Sequence, residues 1–249
     1  MVFIEKKDNE DSQQKYIRDM EKYFIDSVGD CFSKIDNFAK YASRQSITRF
    51  LAKYELFKKI VDVQGSIIEC GVLFGGGLMT FAKLSTIFEP VNTQRKIIGF
   101  DTFSGFAKLS AEDKKGTSEF LCEGGLAVDS YNDLLRCVEL YDNNRFLPHI
   151  PKVELVKGDA VETIPLYVSE NQQLVVSMLY LDMDVYAPTK TAIEYFLPRI
   201  PKGGIIVFDE LNSKNWPGET KAVIDTIGIA KLKIKRFSFD SYLSYAIIE

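Results

Sequence analysis

The sequence has little cysteine, and none of it stands at metal-binding spacing. Only 4 of 249 residues are Cys, and no CxxC or CxxxC motif is present. Cys70 lies inside an apolar run of strand length, where a buried thiol is ordinary. The spacing predicts reduced cysteines, which in turn favours a cytoplasmic protein.

The sequence also lacks an excess of basic residues and any long hydrophobic run. The formal net charge is −4, from 31 Lys+Arg and 35 Asp+Glu, and no basic stripe stands out. This balance argues against a general nucleic-acid or anionic-membrane partner. No stretch is long enough to span a bilayer, and the opening residues turn charged before a signal-peptide core could form.

The dinucleotide motif G-x-G-x-x-G is missing too, which disfavours a nicotinamide dehydrogenase. What is present suits one large α/β domain with a helical appendage, because 46% of the residues are hydrophobic. Residues 1–62 contain no Pro and carry apolar residues at helical spacing, so we predict an N-terminal helical region there. Its aromatic residues predict packing or an oligomer surface, and a homo-oligomer formed through these helices is one interpretation.

From residue 63 onward, strand and helix patterns alternate. The runs SIIECG, KIIGFD, VELVKGD, LVVSMLYLD and GGIIVFDE predict strands, and helices are predicted over about 77–88 and 188–197. Such alternation predicts a doubly wound, mostly parallel sheet of the Rossmann-like kind. Two further strand patterns, KLKIKRFSF and SYLSYAIIE, predict a C-terminal antiparallel hairpin. A long polar segment, residues 104–129, predicts a lid over the site or an irregular surface loop.

Acidic residues follow two of the predicted strands. Asp182 and Asp184 end one apolar run, and Asp209 and Glu210 end another. Ligands of parallel sheets bind beyond the carboxyl ends of the strands, and carboxylates held close together normally need a divalent cation. The pattern therefore predicts a metal site within a cofactor-binding enzyme.

Three other features suit a cofactor. The glycines of the turn from Gly71 to Gly77 would let the backbone approach a ligand closely. The N-terminus of the following helix would favour an anionic group on that ligand. Asp101 could hold ribose hydroxyls or could cap a helix. Asp159 could meet an adenine amino group, although by itself it is more typical of a helix N-cap.

Four motifs taken together resemble the macrocin O-methyltransferase (TylF-like) family. They are ECG with its glycine-rich turn at 69–77, DTFSGF at 101–106, LDMDVY at 181–186, and the stretch from PKGG at 201–204 through Asp209-Glu210 to WPG at 216–218. The match covers about residues 66–227 in the family's order. The resemblance implies a class I methyltransferase fold over residues 63–249 and magnesium-dependent methyl transfer from S-adenosylmethionine to a sugar hydroxyl.

The resemblance also implies roles for individual residues. The methionine end of the cofactor would be surrounded by Glu69, Gly71, Gly75, Gly76 and Gly77. Asp101 would hold the ribose, and Asp159 with Ala160 would border the adenine.

The acidic residues would divide between metal binding and catalysis. The Mg²⁺ ligands would be Asp182, Asp209 and Glu210, and the general base would be Asp184. Alternatively, Asp184 would support the metal ligands from behind or would cap the helix that follows. Glu210 stands where the family usually has Asp, and Lys221 stands where it often has Arg.

These inferences predict an enzyme that O-methylates a glycosyl or polyol acceptor. Two alternatives fit the same residues: O-methylation of a catechol-like phenol, whose vicinal oxygens bind the same metal, and a cofactor-binding protein without catalysis. For Trp216 the sequence allows two roles: its ring forms an apolar wall for a sugar ring, or it packs on the sheet.

Overall fold

The structure is a computed structural model that describes residues 11–249, with side chains from residue 14. The chain divides into two units, Met1–Leu51 and Ala52–Glu249. The described part of the first unit consists of α1 (Asp11–Asp26), α2 (Cys31–Asp36) and the beginning of α3 (Arg44–Lys58). Asp30 caps α2, because its side chain accepts a hydrogen bond from the backbone N–H of Ser33 at 2.8 Å. No residue from 14 to 51 is buried.

The second unit is built on a seven-stranded sheet. Its strands are β1 (Ser66–Cys70), β2 (Ile97–Asp101), β3 (Val153–Lys157), β4 (Val176–Leu181), β5 (Ile205–Phe208), β6 (Lys235–Arg236) and β7 (Ser244–Ile247). They lie in the order β3-β2-β1-β4-β5-β7-β6. The first five pair in parallel, and β7 pairs antiparallel with both β5 and β6. The predicted mostly parallel sheet with a C-terminal antiparallel hairpin is confirmed.

Helices cover both faces of this sheet. They are the end of α3 together with α4 (Gly76–Phe88), α5 (Tyr131–Asp142), α6 (Ala160–Glu170), α7 (Tyr186–Phe196) and α8 (Pro217–Thr226). Neighbouring strand residues point to opposite faces, so Ile67 and Ile68 belong to different apolar clusters. One cluster contains α3 and α4 residues, and the other contains α6 and α7 residues. Strands β1, β4 and β5 are buried along their whole length, which is why apolar residues predominate in them.

The order of the strands reverses between β1 and β4. The chain moves outward from β1 through β2 to β3 on one side, then returns to β4 on the other side. At such a switch point the loops after the two central strands diverge and leave a crevice, which is where open α/β sheets bind ligands. Within residues 11–249, no helix has the length and apolar character needed to cross a membrane.

Candidate functional site

Gly71 brings the turn after β1 against the end of β4. Its φ of +94° lies in the region that favours glycine, and a Cβ there would lie 1.8 Å from the carbonyl oxygen of Asp182. The backbone N–H of Asp182 donates to the carbonyl of Cys70 at 2.8 Å. The glycine-rich turn and the first predicted metal ligand are therefore adjacent, and only glycine permits that approach.

The remaining glycines of the turn shape the beginning of α4. Gly75 is the N-cap residue with a left-handed φ of +81°, and a Cβ at Gly77 would collide with the carboxylate of Glu69 at 1.8 Å. Gly76 differs, because a Cβ there would meet nothing within 4 Å. Gly76 thus faces open space at a helix N-terminus, whose free N–H groups suit an anionic group of a ligand.

Asp101 organises the same turn from the end of β2. Its Oδ2 accepts hydrogen bonds from the backbone N–H groups of Val72 at 2.7 Å and Leu73 at 2.9 Å. Its Oδ1 accepts from Phe103 N–H at 2.7 Å. An ionised carboxylate has about four acceptor positions, so capacity for a ribose hydroxyl remains beside these bonds.

Asp159 is the N-cap of α6, as the sequence alone favours. Its Oδ1 accepts a hydrogen bond from Val161 N–H at 3.0 Å, and the neighbouring Ala160 is buried. The adenine role implied for Asp159 and Ala160 stays a prediction, since capping uses one carboxylate oxygen and leaves the other.

The acidic residues after β4 and β5 lie at one level of the sheet. Leu181 pairs with Phe208, and the backbone N–H of Asp209 donates to the carbonyl of Leu181 at 3.2 Å. Asp182 and Asp209 therefore begin neighbouring loops at the carboxyl edge of the sheet, on the β4 side of the switch point. Asp184 has a left-handed φ of +61°, which is unusual for a residue with a side chain and is typical of strained functional loops.

Glu219, which the sequence analysis did not select, completes this acidic group. It lies in the first turn of α8, is fully buried, and its Oε1 accepts a hydrogen bond from Glu210 N–H at 3.0 Å. Its Oε2 is buried without a hydrogen-bond partner among the described residues. Burial, reinforced by the charges of Asp209, Asp184 and Glu210, raises the pKa of Glu219 well above its ordinary value.

We call Asp182, Asp184, Asp209, Glu210 and Glu219 the acidic cluster. In the part of the chain that the structure describes, no three His, Cys, Asp or Glu side chains are arranged to hold a metal ion. The donor chemistry nevertheless fits a hard divalent cation, because every donor is a carboxylate and one buried oxygen of Glu219 has no hydrogen-bond partner.

A buried cation lies behind the cluster and was also missed from the sequence. Lys53 on α3 is only 8% exposed, and its Nζ donates to the hydroxyl of Tyr180 at 3.0 Å. That hydroxyl donates to Oδ1 of Asp209 at 3.4 Å. Burial raises the pKa of Glu69 to about 8, with Lys53 opposing the shift and Asp101 and Asp209 adding to it. The positive charge of Lys53 thus favours ionised Glu69, and Lys53 is linked to Asp209 through the hydroxyl of Tyr180.

The 104–129 segment is anchored at the same edge of the sheet. Phe106 packs on Trp216, with ring centroids 5.8 Å apart, and Trp216 is buried. The hydroxyl of Thr117 donates to Oδ1 of Asn215 at 2.5 Å. Just beyond the segment, Ser130 donates to the carbonyl of Leu73 in the glycine-rich turn. The segment therefore contacts the loop after β5, and the residue that follows the segment contacts the glycine-rich turn.

Lys221 is engaged within its own helix. Its Nζ forms an ion pair with Asp225, which also accepts a hydrogen bond from the hydroxyl of Tyr186 at 3.0 Å. Hydrogen bonds from Lys221 and Tyr186 lower the pKa of Asp225. In the structure Lys221 therefore binds a carboxylate one helical turn away.

Comparison with protein families now identifies the chain's relatives. A family model described as macrocin O-methyltransferase (TylF) matches residues 47–230. The chain belongs to this family. It is accordingly an O-methyltransferase, and its sheet is that of the class I methyltransferases.

Solved structures agree with this assignment. The crystal structure of CalS11, a calicheamicin methyltransferase, has 32% sequence identity, covers 96% of this chain and 93% of its own, and gives a TM-score of 0.90. An apo structure of CalS11, described as a TDP-rhamnose 3′-O-methyltransferase of calicheamicin biosynthesis, has 30% identity over 96% of this chain and 95% of its own, with a TM-score of 0.83. The O-methyltransferase NovP shares the fold at 20% identity, 81% and 80% coverage and a TM-score of 0.65. A comparison with curated proteins found no match.

Proposed function

We propose that this O-methyltransferase transfers a methyl group from S-adenosylmethionine to a hydroxyl of a sugar or glycosylated small molecule, assisted by Mg²⁺. The observation that carries the proposal is the approach of Gly71 to the backbone of Asp182. Because this contact joins the glycine-rich turn to the acidic cluster, a methyl donor bound at the turn would lie beside an acceptor bound at the cluster.

The residues proposed to bind the donor surround the carboxyl ends of β1, β2 and β3. Glu69 and the open side of Gly76 would receive the methionine end, where the N–H groups of α4 favour its carboxylate. Asp101 would accept hydrogen bonds from the ribose, and Asp159 with Ala160 would border the adenine. Each position lies at or just beyond the carboxyl end of β1, β2 or β3, on the same side of the switch point.

The residues proposed to hold the cation are Asp182, Asp209 and Glu210, with Glu219 buried behind them. The repulsion of Glu219 by Asp209 and Glu210 supports the proposal, since a cation among these carboxylates would relieve it. When bound, Mg²⁺ lowers the pKa of a coordinated hydroxyl, and S-adenosylmethionine supplies the methyl group.

Asp184 is the residue proposed to take the acceptor's proton. It lies three positions after the end of β4, and its left-handed φ shows that the chain no longer has strand conformation there. A general base must reach the hydroxyl, while the surrounding loops hold the oxygen in line with the methyl group. Positioning and deprotonation are therefore the main tasks of this chain's own residues.

A sugar acceptor is favoured by the relatives. CalS11 is described as acting on TDP-rhamnose, and it matches this chain over nearly its full length. Trp216 is buried against the half-buried Phe106, so Phe106 is the ring of this pair that would meet the apolar face of a sugar.

The test is methyl transfer measured by mass spectrometry with TDP-rhamnose and, in parallel, a catechol as acceptors. We expect the TDP-sugar to gain one methyl group and the catechol to gain none. Calorimetry with S-adenosylhomocysteine and with NADH measures the affinity for each cofactor without an acceptor. Methylation of the catechol alone, or preference for NADH, would refute the proposed function.

We also propose that the chain self-associates through its N-terminal helices. Large apolar side chains of the first unit are exposed, among them Val28 at 87%, Phe32 at 73% and Ile35 at 64%. Several large apolar side chains exposed along one short stretch are typical of a protein interface, and we take a second copy of this chain as the partner. The cytoplasmic location stays a prediction of the sequence.

A further inference from the structure

Helix α7 begins without a local cap. Its N-cap residue is Val185, which makes no side-chain hydrogen bond to the helix. The first N–H groups of a helix have no partner within the helix, so a residue elsewhere in the chain must supply one or water must do so. This matters for the site, because Asp184 lies immediately before the uncapped end.

The missing cap comes from the 104–129 segment. Oδ1 of Asp113 accepts a hydrogen bond from the backbone N–H of Tyr186 at 2.7 Å. Its Oδ2 accepts from the N–H of Ser110 at 2.8 Å and from the Ser110 hydroxyl at 2.5 Å. Asp113 is only 1% exposed. A buried carboxylate that accepts three hydrogen bonds at a helix N-terminus is strongly held in place.

The carboxylate of Asp113 also lies against the beginning of α8. A Cβ at Gly218 would lie 2.2 Å from Oδ1 of Asp113 and 2.5 Å from the backbone nitrogen of Tyr186. Gly218 therefore leaves the space that the hydrogen bond between Asp113 and Tyr186 occupies. We call Asp113, Tyr186 and Gly218 the Asp113 junction.

The junction stands next to two members of the acidic cluster. Asp184 precedes Tyr186 by two residues, and Glu219 follows Gly218 directly. The left-handed backbone of Asp184 is closed by a hydrogen bond from Val185 N–H to the carbonyl of Met183 at 2.6 Å. The hydrogen bond between Asp113 and Tyr186 therefore lies just beyond a strained turn that contains Asp184.

We propose that Asp113 is a positioning residue that locks the 104–129 segment to the beginnings of α7 and α8 and thereby holds Asp184 and Glu219 in place. The catalytic part of this inference rests on the proposed function, in which Asp184 is the base. The locking part does not, because it concerns contacts that exist without substrate.

Two variants disturb the junction from opposite sides. Asp113→Ala removes the acceptor, and Gly218→Ala inserts a methyl group between the acceptor and Tyr186. Gly218 lies in a helix, where alanine is otherwise preferred to glycine, so faster cleavage or slower turnover in this variant points to the junction. Asp240→Ala is the matched control, because Asp240 is also buried and accepts hydrogen bonds from two backbone N–H groups, of Tyr242 and Leu243.

The locking part is measured without an acceptor. Lys114 and Lys115 are exposed trypsin sites next to Asp113, and Trp216, the only tryptophan, packs on Phe106 within the segment. We expect both junction variants to be cut faster by trypsin at these lysines and to show red-shifted, more easily quenched tryptophan emission. The control should match the wild type in both. Unchanged cleavage and emission in both junction variants would overturn the lock.

The positioning part is measured by turnover with TDP-rhamnose. A displacement of the base by about 1 Å lowers kcat by roughly 10²-fold, so we expect a fall of that order in both junction variants. The KM for S-adenosylmethionine should stay within about threefold, since that site lies on the other side of the switch point. An equal fall in kcat for Asp240→Ala would overturn the positioning role. If the wild-type protein does not methylate TDP-rhamnose, this acceptor and the catalytic role tested with it are refuted, while the acceptor-free measurements still decide the lock.

Discussion

Glu69 brings a titratable carboxyl group into the interior beneath the glycine-rich turn, which makes stability depend on pH. Burial raises its pKa from 4.5 to about 8, so between these values the folded chain holds a proton that the unfolded chain has released. The free energy of unfolding therefore falls as the pH rises through this window, by up to about 1.4 kcal/mol per pH unit from this group.

Glu69→Gln keeps the shape of the side chain and cannot ionise. In urea unfolding at about pH 5 and pH 8.5, we expect this variant to lose less stability between the two conditions than the wild type does. Glu139→Gln, at an exposed side chain paired with Arg136, should follow the wild type. A pH dependence of Glu69→Gln that is parallel to the wild type would show that Glu69 is already ionised in the folded chain.

Asp184 and Asp209 are expected to respond differently to the same amide substitution. Asparagine tolerates the left-handed backbone of Asp184, so Asp184→Asn should keep Mn²⁺ affinity, measured by calorimetry, while kcat falls roughly 10²- to 10⁴-fold. Asp209→Asn should instead lose Mn²⁺ affinity and keep the affinity for S-adenosylhomocysteine. Recovery of Asp184→Asn by excess Mg²⁺ alone would assign that residue to metal binding.

At the scale of elements, the turn between β1 and α4 depends on glycines for two separable reasons. Gly71→Ala should destabilise the chain by at least about 2 kcal/mol, because it combines a positive φ with a clash against the backbone of Asp182. Gly76→Ala meets no atom within 4 Å and should leave stability unchanged or slightly raised, while weakening the binding of S-adenosylhomocysteine. Urea unfolding of both variants measures the effect on stability, and calorimetry measures the effect on S-adenosylhomocysteine binding. A fully stable Gly71→Ala protein would contradict the requirement for glycine beside the backbone of Asp182.

The elements that the sequence predicts well are those whose signals are local. The runs SIIECG, LVVSMLYLD and GGIIVFDE predicted β1, β4 and β5, and the predicted helix over about 77–88 is α4, Gly76–Phe88. The predicted helix over 188–197 begins earlier, at Tyr186, because Pro188 is tolerated in the first turn. Of the KLKIKRFSF pattern only Lys235–Arg236 forms a strand, and an edge strand this short limits unwanted pairing.

The contacts that sequence reasoning missed are all long-range. Lys53 meets Tyr180 across 127 positions, and Asp113 caps a helix 73 positions away. A lysine at a helical position and an aspartate in a polar segment carry no local sign of such partners. Glu219 had a weak sign, since an acid one residue after Trp-Pro-Gly falls in the first turn of a helix close to the β5 acids.

At the scale of the whole molecule, the exposed apolar side chains of α2 predict association. We expect light scattering after size-exclusion chromatography to give the mass of a dimer. Replacing Phe32 and Ile35 together with Ser should give a monomer, because these side chains are 73% and 64% exposed on one helix. Ile87→Ser, which changes an equally exposed residue on α4, should remain a dimer. A monomeric wild-type chain at high concentration would exclude this interface.

The central claim is that the acidic cluster binds a cation that assists methyl transfer to a sugar hydroxyl. The most direct measurement follows methylation of TDP-rhamnose by the wild-type chain after treatment with a chelator and again after Mg²⁺ is restored. The account predicts that turnover is lost with the chelator, returns with Mg²⁺, and does not return in Asp209→Asn. Undiminished methylation of TDP-rhamnose by the chelator-treated enzyme would contradict it.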